Sequence, residues 1–197
     1  MNLTTGAARR VLAAVAITST AILIPAIALA APGRSAAPGR SAAPRSAAAA
    51  PHCQRAALTV WLGIPGDGYA GGTGYELELS NISHRTCTLD GYPGVSALGS
   101  GGHQLGSAAD RNGLDPVRLV TLRPGGTAHV LLEITDVGNY PTSACEPANA
   151  VALRVYPPND FRASEIGFSF SACSKRGPRF LHVTAVVRGT GIPGFSS

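Results

Sequence analysis

Apolar side chains recur at every second position through most of this chain, and that period restricts its fold more than any other feature. In "YELELSN", Tyr75, Leu77 and Leu79 fall on one side, with Glu76, Glu78 and Ser80 on the other. "TAHVLLEI" aligns Ala128, Val130, Leu132 and Ile134 against Thr127, His129 and Glu133. "LTVWL" groups Leu58, Val60 and Leu62; "VALRVY" groups Val151, Leu153 and Val155; "RFLHVTAVV" groups Leu181, Val183, Ala185 and Val187. Successive side chains leave opposite faces of a pleated strand, so this pattern predicts half-buried strands. Shorter strands are expected in "CTLDGYPGVSAL", "VRLVTL" and "IGFSF". Between them lie "GSGGHQLG", "RPGG" and "YPPND", where Pro presets φ and Gly accepts positive φ. About seven to nine short strands joined by turns predict an all-β, antiparallel two-sheet sandwich, immunoglobulin-like in architecture.

One loop invites another reading. In "GDGYAGG", Gly66, Gly68 and Gly71 spell the dinucleotide fingerprint G-x-G-x-x-G. Those glycines admit a pyrophosphate only where a helix N-terminus follows. Here "GTGYELELSN" follows, which is strand-like, so the expectation is a strand-to-strand turn and no nucleotide.

The N-terminal part reads as export and spacing. Arg9 and Arg10 precede an apolar stretch from Val11 to Ile24, Pro25 ends it, and Ala28-Leu29-Ala30 offers the small residues of a cleavage site. Residues 1–30 therefore read as a signal peptide. Val11 to Ala30 is also nominally long enough to span a bilayer, so a membrane partner enters only if the signal is uncleaved. Residues 31–51, "APGRSAAPGRSAAPRSAAAAP", form a low-complexity disordered linker whose prolines make it a semi-extended spacer. Residues 52–197 form the folded domain, large enough for one core. Five arginines (Arg9, Arg10, Arg34, Arg40, Arg45) precede it, leaving eleven basic against eleven acidic residues from His52 onward. A basic footprint for nucleic acid is thus absent from the domain.

Cys53, Cys87, Cys145 and Cys173 are an even set with no C-x-x-C spacing, which in an exported chain reads as two disulfides rather than a zinc site. Three pairings are possible. Cys53–Cys87 with Cys145–Cys173 is favoured, because each bond then ties a strand-flanking segment near it and closes a loop of about thirty residues, worth ~3–4 kcal/mol on the chain-entropy model.

With these residues assembled, the chain resembles the domain of unknown function 4232 family of exported actinobacterial proteins. The resemblance rests on Cys53 before the first strand, "YELELSN" leading into "TCTLDGYPGV", and the Gly102–Gly106 hairpin. It continues with "LRPGGTAHVLL", "CEPANAVALRVYPPN", the late Cys173 and "LHVTAVVRG", so that it covers roughly Cys53 to Gly189. It implies an extracytoplasmic, β-rich, disulfide-bonded domain behind a low-complexity linker. Many members look like lipoproteins; this chain has no lipobox, since "APHC" lacks the leucine. The resemblance supplies no catalytic residues.

No chemical site assembles from the sequence either. "GVSALG" is not a G-x-S-x-G elbow, and His52, His84, His103, His129 and His182 stand singly. Glu76 and Glu78 share a strand face that reads as solvated. "DRNGLD", Asp110 to Asp115, is too short for a calcium loop. Tyr69, Tyr92 and Tyr140 sit in loops, where aromatic residues anchor interfaces or pack corners; packing is the expectation. No catalytic, metal or cofactor residue is therefore expected. The functional expectation is a non-catalytic module, secreted and extracytoplasmic, that binds or scaffolds an unknown envelope or extracellular protein or glycan. The alternative is a secreted hydrolase built in three dimensions around His129 or His182 with a nearby carboxylate. Protein recovered outside the producing cell is expected to begin at Ala31 and to carry no free thiol, by N-terminal sequencing and thiol titration under denaturing conditions.

Overall fold

A computed structural model describes residues 49–113 and 116–190, without the side chains of 64–67. The expected signal peptide and most of the expected linker lie outside the described residues. "LTVWL" and "YELELSN" build a long hairpin from β1 (Leu58–Tyr69) and β2 (Gly72–Asn81), with only Ala70 and Gly71 between them. Gly71 takes φ +99°, the left-handed turn position that a glycine accepts without strain. Gly72 has a different reason to be glycine: a Cβ there would meet the Ile134 carbonyl and the Tyr69 hydroxyl at 2.5 Å. The fingerprint glycines therefore sit in a hairpin. Gly66 and Gly68 lie within β1, where the register shifts twice, and a strand follows Gly71.

The remaining strands are β3 (Cys87–Leu89), β4 (Gly94–Leu98), β5 (Gln104–Leu105), β6 (Asp110–Arg111), β7 (Val120–Leu122), β8 (Thr127–Thr135), β9 (Pro147–Tyr156), β10 (Ser164–Cys173), β11 (Leu181–Val183) and β12 (Val187–Arg188). A single helical turn, α1 (Thr142–Cys145), precedes β9 and ends at Glu146 in the left-handed conformation. The fold is all-β. Two expectations need correction: there are twelve strands among the described residues, and they form three hydrogen-bonded sheets rather than two. One sheet runs β1-β2-β8-β11-β6 with β12 also on β8, a second runs β10-β9-β4-β5, and β3 pairs with β7 alone. The first sheet is mixed, because β6 lies parallel to β11. Six strands hold only two or three residues, too short to show a period in the sequence.

The apolar faces meet in one core. Leu77, Leu79, Val130 and Leu132 from the first sheet join Val95, Leu153, Val155 and Ala172 from the second, all fully buried. β3 and β7 add Leu89 and Leu122. Cys53 is bonded to Cys87 and Cys145 to Cys173, separated by 34 and 28 residues in sequence. The first bond fixes the start of the domain to β3, and the second joins the end of α1 to the end of β10. Among the described residues no helix is long and apolar enough to cross a membrane.

Asn81, at the end of β2, is fully buried and fully used. Its amide donates to the carbonyls of Arg85 (2.8 Å) and Leu122 (3.0 Å), while its oxygen accepts from the backbone and hydroxyl of Ser83. Its own backbone bonds Gly125 and Gly126 of the turn between β7 and β8. One side chain thus holds the β2–β3 and β7–β8 connections against each other. Asn81→Ala would orphan two carbonyls, and is expected to cost about 2–3 kcal/mol in denaturant unfolding. Ser83→Ala, at a more exposed position, should cost under about 1 kcal/mol.

Candidate functional site

The alternation that buries one face of the first sheet gathers polar side chains on the other. Glu78 of β2 stands opposite Trp61 of β1 and opposite His129 of β8. Glu78 is 0% and His129 4% exposed, so the expectation of a solvated carboxylate face fails at Glu78. The period assigned the correct face, but that face is not open to water at this row. Next to it, the Trp61 indole donates to Ser80 Oγ (3.2 Å), which is 2.8 Å from Thr127 Oγ1.

Could this face carry hydrolysis? His129 donates from Nδ1 to the Gly189 carbonyl (2.8 Å), and His182 of β11 donates from Nε2 to the Arg179 carbonyl (2.9 Å). The two histidines share the sheet face, because His182 stands opposite Glu133 of β8. Glu133 lies four residues along that strand from His129, or about 13 Å at strand rise, so the imidazoles cannot serve one reacting atom. Among the described residues the ring hydrogen bonds of histidine all end on backbone carbonyls, and none reaches a serine or threonine hydroxyl. A nucleophile beside its base is what acyl transfer needs. This face does not bring one together.

A second cluster lies at β6 and β11. Arg179 and Asp110 form a short, direct ion pair, and Asn112 Nδ2 donates to Glu133 Oε2 (2.8 Å). The hydrogen bond from Arg179 holds the Asp110 carboxyl below its ordinary range, against the opposing effect of burial, and the charges of Arg179 and His182 add to it. The same contact raises the Arg179 guanidinium. The calcium-like "DRNGLD" thus commits Asp110 to Arg179 and Asn112 to Glu133, while Asp115 lies outside the described residues. No group of three or more candidate metal ligands occurs among the described residues.

The loop tyrosines divide. Tyr92 packs on the core beneath the Arg111 guanidinium, 5.5 Å from its ring centre, and Tyr140 donates its hydroxyl to the Arg179 carbonyl. Tyr69 is 38% exposed and borders an open cleft of about 420 Å³ with Tyr75, Phe170 and Asp136. Asp136 spends a carboxylate oxygen on the backbone of Gly138, capping a short turn. The most exposed large apolar residue is one that sequence reasoning passed over: Phe161, between β9 and β10, is 95% exposed. Its signal was a lone aromatic residue inside the turn chemistry of "YPPNDFRAS".

A family model described as a domain of unknown function, DUF4232, matches residues 53–186. The chain belongs to that family. The match opens on Cys53 and closes on Val186, so both disulfides and Asn81 fall within the family domain, and β12 lies just beyond it. Among curated proteins and among solved structures, nothing matches the chain.

The depressed Asp110 carboxyl has a definite sign. A carboxylate whose folded pKa lies below its unfolded value of about 3.9 stabilises the fold above that pH, and the contribution is lost as pH falls through the folded value. In Arg179→Ala, the Asp110 carboxyl is expected to titrate back near its ordinary range, read by carbon NMR of the labelled carboxyl. An unchanged titration would remove Arg179 as the cause.

Proposed function

We propose that this is an exported, non-catalytic module that binds or scaffolds a protein or glycan of the cell envelope or extracellular space, built as an immunoglobulin-like sandwich from its two larger sheets. The observation that carries the reading is an exposed apolar pair at one end of the domain. Phe161 is 95% and Ile82 62% exposed. Both lie close to Arg55, whose backbone donates to Asp160 Oδ2 (2.5 Å) and which lines a cleft with Ile82 and Ser164. Leaving such side chains in water forgoes roughly 1.5–3 kcal/mol of burial apiece, which a partner covering them would recover.

The rim supports the same reading. Asp160 accepts from the backbone of Arg55 and Arg162, which ties the Phe161 loop down while its ring stays outside. The hydrogen bond from the Arg55 backbone is the main reason the Asp160 carboxyl sits below its ordinary range. A preorganised loop loses less entropy on binding. The spacer side of the domain is also here: His52 donates to the Pro158 carbonyl (2.7 Å), three residues before Phe161.

A photo-activated cross-linking residue at position 161, placed in the protein within its producing cell, is expected to give one discrete adduct from the envelope or culture fluid. The same residue at Val151, 42% exposed on β9, should not. Recovery of only the bait from position 161 counts against the proposal.

A further inference from the structure

A groove elsewhere on the domain has the composition of a ligand site. One wall is the extended segment Pro116–Leu119 leading into β7; the other is the run Val186–Arg188, which contains β12. The volume is about 410 Å³, within the usual range for small-molecule sites. Val120 and Val186 form a buried floor, and Leu119, 67% exposed, forms a lip beside the 52% exposed Val117. Two guanidinium groups, Arg118 and Arg188, line the same groove, and among the described residues no acidic residue does. Neither arginine makes an ion pair or a side-chain hydrogen bond among the described residues. In a domain of eleven basic and eleven acidic residues, two arginines without an ion pair among the described residues line one apolar floor.

That combination selects its occupant. Two guanidinium forks that line one groove favour an anion between them, and carboxylate geometry fits the fork. Apolar walls next to the charges thin the water around such a pair and strengthen it. Among the described residues no aromatic platform lines the groove, which fits nucleic acid poorly, and no Asp, Glu, Asn or Gln lines it to accept from the hydroxyls of a sugar. We propose that the groove binds a single-chain carboxylate amphiphile of the fatty-acid class, its head between Arg118 and Arg188 and its tail along Leu119, Val120, Val186 and Val187. This site is separate from the Phe161 surface and does not depend on it.

Calorimetric titration of the full chain with dodecanoate, kept below its micellar concentration, tests the site. One saturable molecule per chain is expected. Arg118→Ala with Arg188→Ala should weaken it at least about tenfold. Both arginines are solvent-exposed, so the double variant should melt where the parent does; Leu119→Ser supplies a second, tail-side variant with weaker binding. Each methylene removed from the tail should weaken binding about fourfold. Dodecyltrimethylammonium, with the same tail and opposite head, should not bind. The proposal is overturned by no saturable dodecanoate binding, by equal binding to the double arginine variant, or by equal binding of the cationic amphiphile. A response confined to phosphatidylglycerol vesicles, or to an acidic peptide, overturns it equally.

Discussion

The fold hangs on β8. It pairs with β2 along nine positions on one edge and with both β11 and β12 on the other, so most of the larger sheet is hydrogen-bonded through this one strand. Its inward residues Ala128, Val130 and Leu132 are fully buried, with Ile134 nearly so. A slip of one residue would turn all four outward and place His129 and Glu133 in the core, so the register is fixed by the apolar set alone. The polar row at Glu78 and His129 is a consequence of that register. Wherever β2 and β8 align Leu77 with Val130, the next pair must put a carboxylate opposite an imidazole.

The loops are secured by a different kind of interaction. Connections cannot rely on alternation, and here covalent and buried polar fasteners replace it. Cys53–Cys87 ties the first described segment to the short β3–β7 sheet, Cys145–Cys173 ties α1 to β10, and Asn81 bonds two connections through one amide. Isolated two- and three-residue strands have too few ladder bonds to hold themselves. β3 has Cys87 inside it and His52 bridged to Thr88, which explains how a three-residue strand keeps its place.

How much of this was legible in the sequence depends on whether a property is local. The inward residues of β2 and β8 follow from period two, since pleating is a property of each strand on its own; in β9 only Leu153 and Val155 do, because Val151, grouped with them by the period, is 42% exposed and Ala150 is the residue buried at that end. Sheet membership does not. β3 pairs with β7 across more than thirty residues, and β6 joins β11 in parallel, choices set by chain crossings that leave no trace in a local pattern. Exposure is a third matter: Glu76 and Glu78 share a face by period, yet Glu78 is sealed from water. The histidines looked scattered, and three of them, His52, His129 and His182, proved to serve a backbone carbonyl nearby in space. Phe161 and the Arg118–Arg188 pair escaped notice because one aromatic in a turn, or two arginines seventy residues apart, have no spacing to recognise.

The edges of the sheets are blunted against further strand pairing. β1 and β10 are long outer strands, and among the described residues neither pairs on its free side. Such edges invite association unless interrupted. β1 carries Pro65 and two register shifts, and β10 carries a shift between Gly167 and Phe170, with its one charge, Glu165, paired to Arg154. Both edges are thus bent away from simple strand addition. The larger sheet's polar face is occupied at its centre by a sealed row rather than a pocket. The connections also carry exposed side chains: Phe161 and Arg162 between β9 and β10, and Arg118 and Leu119 before β7. These segments lie outside the ladders, so their side chains can change without disturbing the register of β8.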